Sequence, residues 1–169
     1  MANVKISELA ELTTPATDDK LVIVDASEAL DADKTKYITV GNLRAGATFL
    51  TTPLTSTAWD GDSYSTTSKT KIDLSAVFGA PAGVKAILAR ISARDSASAG
   101  TQSLYFGISP NDVSVSIALA VKPSGLTNDY VADAVGIVPC DANGDVYYQI
   151  NASGTNTMDC WFEIWGYWL

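Results

Sequence analysis

The feature that most constrains this chain is a series of short segments, from residue 71 to the C-terminus, in which apolar and polar residues alternate. Alternation with a period of two is typical of strands that bury one face. Clusters of Gly, Pro, Asn and Asp separate the segments and indicate turns. The pattern predicts seven strands, at residues 71–74, 84–94, 103–109, 113–121, 130–138, 146–151 and 158–168.

Short strands at this spacing, with no long helical pattern between them, predict a mainly β fold. We expect residues 70–169 to form an antiparallel β-sandwich of the jelly-roll type. With 169 residues, 47% of them hydrophobic and 18% charged, the chain is long and apolar enough to build a buried core. Disorder of the whole chain is therefore excluded.

Residues 1–43 are predicted to form a small module of their own, made of a short helix and a β-hairpin. Apolar residues three apart predict one helical turn after Ser7, and residues 20–25 and 36–40 read as two paired strands. A helical turn and one hairpin cannot bury a core by themselves. We therefore expect this module to dock on a partner protein. The predicted docking residues are Ile6, Leu9, Leu12, Ile23, Ile38, Val40 and Leu43.

The segment between the two domains, residues 44–69, is rich in Thr and Ser. This composition predicts a linker or an extended crossing chain. Its aromatic residues Trp59 and Tyr64 are expected to pin the segment to a neighbouring surface. Asp60 and Asp62 could in principle flank a glycosidic bond, but in this context we expect them to be solvated turn residues.

The last predicted strand, residues 158–168, carries two different faces. One face is predicted to lie in the core, with Met158, Cys160, Phe162, Ile164 and Trp168. The other interleaves aromatic and acidic residues, namely Asp159, Trp161, Glu163, Trp165 and Tyr167. If this strand pairs with residues 146–151, Tyr147 comes to lie beside Trp161. Tyr147, Trp161 and Trp165 then suit a subunit interface, a sugar-stacking platform or a second buried face.

For two further groups of charged residues we expect structural roles. Arg90 and Arg94 lie on one face of a predicted strand and are expected to pair with acids on a neighbouring strand or chain. The sequence of residues 141–145, Asp-Ala-Asn-Gly-Asp, is similar to the opening of a calcium loop. Ala152 stands where such a loop needs its bidentate acid, and Asn-Gly is a strong hairpin signal. We therefore expect a turn and no metal site.

Composition argues against several classes of function. Nineteen acidic residues against eleven basic ones give a net charge of −8, so nucleic acid is not an expected partner. The chain has no histidine, the commonest general base and a common zinc ligand. We expect no catalytic residue, no cofactor and no enzyme activity. Cys140 and Cys160 are expected to be buried free thiols. No segment suggests a signal peptide or membrane insertion.

Several motifs at the N-terminus occur in a recognisable order. They are Lys5-Ile6-Ser7-Glu8-Leu9, Leu12-Thr13-Thr14-Pro15-Ala16, Asp18-Asp19, Leu21-Val22-Ile23-Val24-Asp25 and the segment from Thr35 to Leu43. This order resembles the particle-attachment module of tailed-bacteriophage virion proteins such as tail fibres, head fibres and decoration proteins. The resemblance covers a quarter of the chain. It implies that residues 1–43 anchor the protein to the particle.

The resemblance also implies where the protein works and with which partners. It implies a homotrimeric short appendage that is assembled in the cytoplasm of the bacterial host and resides in the virion, with capsid or tail proteins as partners. Long fibres and depolymerising spikes are disfavoured, because the sequence has no coiled-coil or β-helix shaft. The residues leave open an alternative function, a receptor-binding module of a phage tail with a host-surface glycan as its ligand.

Overall fold

Strands dominate the residues that the computed structural model describes, which are 20–24, 35–39, 46–59, 61, 66–114 and 116–169. The elements are β1 (Lys20–Val24), β2 (Thr35–Thr39), β3 (Ala47–Leu54), β4 (Thr66–Ile72), α1 (Leu74–Phe78), β5 (Ala86–Asp95), β6 (Tyr105–Ser109), β7 (Leu119–Val121), β8 (Ala132–Pro139), β9 (Val146–Asn151) and β10 (Met158–Trp168). The chain divides into two units, Met1–Gly46 and Ala47–Leu169.

The first unit contains the two strands of the predicted hairpin. β1 and β2 pair antiparallel, with Leu21 opposite Ile38 and Ile23 opposite Lys36. Three of the five residues in each strand are β-branched, which explains why both segments become strands, since such residues favour extended backbone. The predicted helical turn at residues 6–12 lies outside the described residues, and so do Val40 and Leu43.

The second unit consists of two four-stranded antiparallel sheets, so the predicted mainly β fold is confirmed. Sheet I has the strand order β3-β10-β5-β8, and sheet II has the order β4-β9-β6-β7. With the exception of β6 and β7, consecutive strands from β3 to β10 lie in different sheets. The jelly-roll assignment remains our interpretation of this order.

Side chains from both sheets form one core. Sheet I contributes Ile87, Ile91 and Phe162, while sheet II contributes Phe106 and Tyr148, and all five are buried. The alternation of strand side chains accounts for this arrangement, because every second residue of β5, β6, β9 and β10 faces the opposite sheet.

Trp59 anchors the chain between β3 and β4 to this core, as predicted. Its ring stacks on Phe106 with centroids 5.7 Å apart, and it meets the rings of Tyr148 and Phe162 edge-on at 5.6 and 6.1 Å. Such pairs add to the free energy gained by burying the ring area. The second expected anchor, Tyr64, lies outside the described residues, as do Asp60 and Asp62.

The segment predicted as a linker, residues 44–69, is part of the sandwich over much of its length. β3 forms an edge of sheet I against β10, and β4 forms an edge of sheet II against β9. The sandwich therefore begins at Ala47 rather than at residue 70. Composition predicted a linker because most of β3 is exposed, and a Thr-rich edge strand shows little alternation of apolar and polar residues.

Two predicted strands have different bounds in the structure. β4 ends at Ile72, because the Asp73 carboxylate accepts a hydrogen bond from the Ala76 N–H at 2.9 Å and caps α1. Of the described residues in the predicted strand at 113–121, those from Leu119 onward form strand, as β7. The loop before it is held instead by Lys69, whose Nζ donates to the carbonyl oxygens of Asn111, Val113 and Ser116.

Candidate functional site

The outward face of sheet I carries the densest group of sequence-predicted site residues. Ile87, Ala89 and Ile91 of β5 point inward, so the residues between them point outward. The strand register places these outward residues of β5 beside outward residues of β10 and β8, and those of β10 beside outward residues of β3. We call one end of this face the charged half, comprising Arg90, Ser92, Arg94, Asp133, Asp159, Trp161 and Glu163. The other end is the apolar half, comprising Phe49, Leu88, Val135, Ile137, Trp165 and Trp168.

Arg90 is the centre of the ion-pair network in the charged half. Its guanidinium lies 2.7 Å from Asp133 on β8 and 3.4 Å from Glu163 on β10. Ser92 donates its hydroxyl to the same Asp133 oxygen at 2.5 Å. The hydrogen bond from Ser92 and the contact with Arg90 hold the pKa of Asp133 below its usual range. The carboxylate therefore stays ionised and keeps Arg90 in place.

Arg94 forms a second ion pair, with Asp159 of β10. Its guanidinium also lies 5.6 Å from the ring centroid of Trp161, a cation–π contact. The expectation that Arg90 and Arg94 pair with acids on a neighbouring strand is confirmed. Cross-strand register explains the partners, since Glu163 is opposite Arg90 and Asp159 is opposite Arg94.

Two hollows adjoin Trp161. The larger has a volume of about 250 Å³ and is lined by Arg90, Ser92, Val131, Trp161 and Glu163. The smaller has a volume of about 130 Å³ and lies where β10 meets the chain that follows β3. Its lining includes Thr55, Ser56, Trp161 and Glu163, and also the core-side residues Trp59, Cys160 and Phe162. The Trp161 side chain is 42% exposed, so its ring is available to a ligand in either hollow.

Trp165 lies on the same outward face as Trp161, at a β-bulge. Ile164 pairs with Ala89 and Gly166 pairs with Leu88, which leaves Trp165 as the extra residue of β10. Its indole N–H donates to Glu163 Oε2 at 2.9 Å. Glu163 therefore neighbours both tryptophans. Its side chain lines both hollows together with Trp161, and its carboxylate accepts the hydrogen bond from Trp165.

The bulge corrects the predicted faces of β10 beyond residue 165. Trp168 is opposite Ala86 and contacts Phe49 on the outward face, with ring centroids 6.1 Å apart, so it is not a core residue. Tyr167 is opposite the buried Ile87 and packs against the core instead. An extra residue reverses the alternation after it, which strict alternation cannot anticipate.

Tyr147 does not join the two tryptophans, so this part of the predicted site is wrong. β9 lies in sheet II between β4 and β6, while β10 lies in sheet I between β3 and β5. Tyr147 is opposite Lys71 and Ser109, on the outward side of sheet II. The short connection at residues 152–157 crosses from one sheet to the other and does not close a hairpin.

Apart from Trp165, the residues of the apolar half were not predicted as site residues. Phe49, Val135 and Ile137 are 67%, 62% and 58% exposed, although their residue types favour burial. In β8 the small residues face inward, because the side chain of Leu119 on β7 fills the space on that side. A Cβ atom at Gly136 would lie only 2.9 Å from Cδ1 of Leu119. A signal existed in β8, where small residues alternate with larger ones.

The predicted turn at residues 141–145 is present. Asp141 Oδ1 accepts from the N–H groups of Asn143 and Asp145 at 2.8 and 2.9 Å. Lys71 Nζ lies 2.7 Å from Asp145 Oδ2 and 3.7 Å from Asp141 Oδ2, so an ammonium group occupies the place between the carboxylates. Burial raises the pKa of Asp141, but these N–H groups and Lys71 outweigh it and keep the pKa below its ordinary value.

Neither Cys140 nor Cys160 forms a disulfide, as expected. Cys160 is buried as predicted, whereas Cys140 is only half-buried. Burial, together with the nearby Asp141 and Asp145 carboxylates, raises the pKa of Cys140 to about 12. Of the predicted docking residues, Ile23 and Ile38 lie in β1 and β2, and the other five lie outside the described residues.

No family model matches the sequence, and no curated protein matches it either. The features of the chain that point to a function are the motifs of residues 1–43 and the outward face of sheet I. Among the described residues, no group of three or more Cys, Asp and Glu side chains could hold a metal ion. In the same part of the chain, no helix has the length and hydropathy needed to cross a bilayer.

Proposed function

We propose that this protein is a structural bacteriophage virion protein, a homotrimeric short fibre or decoration appendage. Residues 1–43 dock it to a capsid or tail protein, and the sandwich projects from the particle. The observation that carries the proposal is the order of motifs in residues 1–43, which resembles a phage particle-attachment module.

The division of the chain into two units supports the docking role. The unit Ala47–Leu169 has a core of its own, whereas the described part of Met1–Gly46 is a single two-stranded hairpin. An isolated hairpin is marginally stable in water. A partner surface that covers this hairpin would stabilise it by about 25 cal/mol per Å² of apolar area removed from water.

The outward face of sheet I supports self-association. The apolar half presents aromatic and branched side chains beside a charged rim, the usual arrangement of a subunit interface. Two guanidinium groups and three carboxylates make the charged half almost neutral, while the whole chain carries −8. Copies of an acidic chain that meet through the apolar half therefore bring little net charge together at the adjoining charged half. A second copy is the partner that the apolar half suits.

Incorporation into particles tests the docking role. We expect the double substitution Leu9→Asp and Leu12→Asp to abolish incorporation, because charged side chains cannot be buried at the docking surface without a large free-energy cost. The measurement is the amount of this protein in purified virions, by quantitative mass spectrometry.

The matched control is Ala29→Asp with Ala32→Asp, which adds the same charge between the two predicted strands, outside the predicted docking set and the quoted motifs. The control should incorporate like the wild type. Circular dichroism of both soluble variants checks that the sandwich remains folded. Normal incorporation of the Leu9 and Leu12 variant would contradict the docking role.

A further inference from the structure

We propose that the charged half of the sheet I face is a binding site for a neutral saccharide, with Trp161 as its central contact. The site consists of the two hollows that share Trp161 and Glu163. This function goes beyond a structural role in the particle, and its residues lie outside both the predicted docking set and the apolar half.

Trp161 supplies the apolar contact. Its indole ring is 42% exposed and borders both hollows. A sugar ring presents C–H groups on one side, and these pack favourably against the electron-rich face of an aromatic ring. The cation–π contact with Arg94, which is itself paired with Asp159, restrains the indole before any ligand arrives. A restrained ring loses less conformational entropy on binding.

Polar groups stand on both sides of that ring. Arg90, Ser92 and Glu163 line the larger hollow, while Thr55 and Ser56 line the smaller one. Together they supply donors and acceptors for sugar hydroxyls, including charge-assisted hydrogen bonds from Arg90 and to Glu163. The network of Arg90 with Asp133 and Glu163 holds these groups in position. An aromatic surface with a few fixed polar groups is the usual composition of a small-molecule site.

Charge and size define the class of saccharide. Two guanidinium groups face three carboxylates in a chain of net charge −8, so an acidic sugar gains nothing here and is repelled at long range. The larger hollow, about 250 Å³, is below the range of about 300–1,000 Å³ that drug-sized ligands occupy. The larger hollow is thus smaller than the site of a drug-sized ligand, and the two hollows that share Trp161 suit a short neutral oligosaccharide.

The test is binding of the full-length chain to immobilised di- to tetrasaccharides, neutral ones (hexose and N-acetylhexosamine) and acidic ones (uronic and sialic acid). The neutral saccharide that binds best is then titrated in solution by calorimetry. We expect Trp161→Ala to weaken its binding by about thirtyfold or more, because truncation of a central aromatic contact removes a large share of the affinity. Trp161→Phe should recover part of the loss, since it keeps an aromatic ring.

Tyr147→Ala is the matched control, because Tyr147 is an aromatic residue on the outward side of the other sheet. It should bind the saccharide within about twofold of the wild type, as expected of a residue outside the interface. Binding to no saccharide of the set, binding to acidic saccharides alone, or equal losses in the Trp161 and Tyr147 variants would each overturn the proposal. None of these outcomes depends on incorporation into particles, so the two proposals can fail separately.

Discussion

Asp95 is a fully buried carboxylate at the end of β5 that ties two loops to the sandwich. It accepts hydrogen bonds from the Ala97 N–H at 2.9 Å, the Ser153 N–H and hydroxyl at 3.0 and 2.6 Å, and the Thr157 hydroxyl at 3.2 Å. Burial raises the pKa of Asp95, but these four hydrogen bonds outweigh it, and the pKa lies below its ordinary value. At the scale of single residues, the fold thus depends on an ionised group inside it.

Stability should therefore fall in acid. Because the folded pKa of Asp95 is below the unfolded value of about 3.9, its contribution is present above that value and is lost as pH falls through the folded pKa. Asp95→Asn places an amide N–H₂ against donor groups, and we expect it to lower the free energy of unfolding at neutral pH by about 1–3 kcal/mol. The variant should also show a smaller loss of unfolding free energy between neutral and acidic pH, as measured by urea denaturation at each pH.

The exposed Asp112 provides the control for this change. Asp112→Asn should stay within about 0.5 kcal/mol of the wild type and keep the wild-type pH profile. If Asp95→Asn loses stability in acid as steeply as the wild type does, the carboxylate is not the group responsible.

Cys140 should be chemically inert in the folded protein. Its pKa of about 12 leaves almost no thiolate at pH 8, and the thiolate is the reactive form. We expect iodoacetamide to leave Cys140 unmodified in the native protein and to alkylate it after unfolding in urea, as read by peptide mass spectrometry. Rapid alkylation of the native protein at this residue would contradict the burial described here.

At the scale of elements, β10 organises the site. It is hydrogen-bonded to both β3 and β5. Odd-numbered residues of β10 point outward in the charged half, and the bulge at Trp165 reverses this alternation of side chains in the apolar half. Gly166, directly after the bulge, lets the edge strand β3 approach closely. A Cβ at Gly166 would lie 2.8 Å from the Thr48 carbonyl oxygen and 3.3 Å from the Phe49 ring.

Gly166→Ala should destabilise the sandwich by about 1–3 kcal/mol, because the backbone of β3 must move to admit the methyl group. Gly100→Ala is the control, since a Cβ there meets nothing within 4 Å. Chemical denaturation of both variants provides the measurement. Equal stability of the two variants would mean that β3 is held less closely than the structure indicates.

At the scale of the whole molecule, the outward face of sheet I combines two proposed roles at its two ends. Its apolar half suits contact with further copies of the chain, and its charged half suits a soluble ligand. In the charged half each guanidinium is paired with a carboxylate, whereas the apolar half leaves Phe49, Val135 and Ile137 largely exposed. Exposed apolar area of this kind on one face commonly marks an interaction site.

Light scattering of the full-length chain tests self-association. We expect a mass close to three times 17.8 kDa for the wild type, and a smaller species for Val135→Asp with Ile137→Asp, because burying two new carboxylates is unfavourable. Val113→Asp, on an exposed valine of the loop before β7, should leave the mass unchanged. A monomeric wild type would remove the trimer, and a trimeric double variant would place the subunit contact elsewhere.

Sequence alone was sufficient for properties that depend on neighbouring residues. Alternation located β9 and β10 at their observed bounds, and it placed β5, β6 and β8 within two residues of theirs. It also placed Trp161 and Arg90 on outward faces. These predictions succeeded because a strand's two faces are set by its own period of two, whichever strand becomes its partner.

Only the tertiary structure decided which strands are neighbours. The sheet assignment separates Tyr147 from Trp161, and the bulge at Trp165 exchanges the roles of Tyr167 and Trp168. It also makes a Thr-rich segment the edge strand β3. Each of these outcomes depends on contacts between residues that are distant in sequence, and a local pattern carries no information about which distant surface covers it.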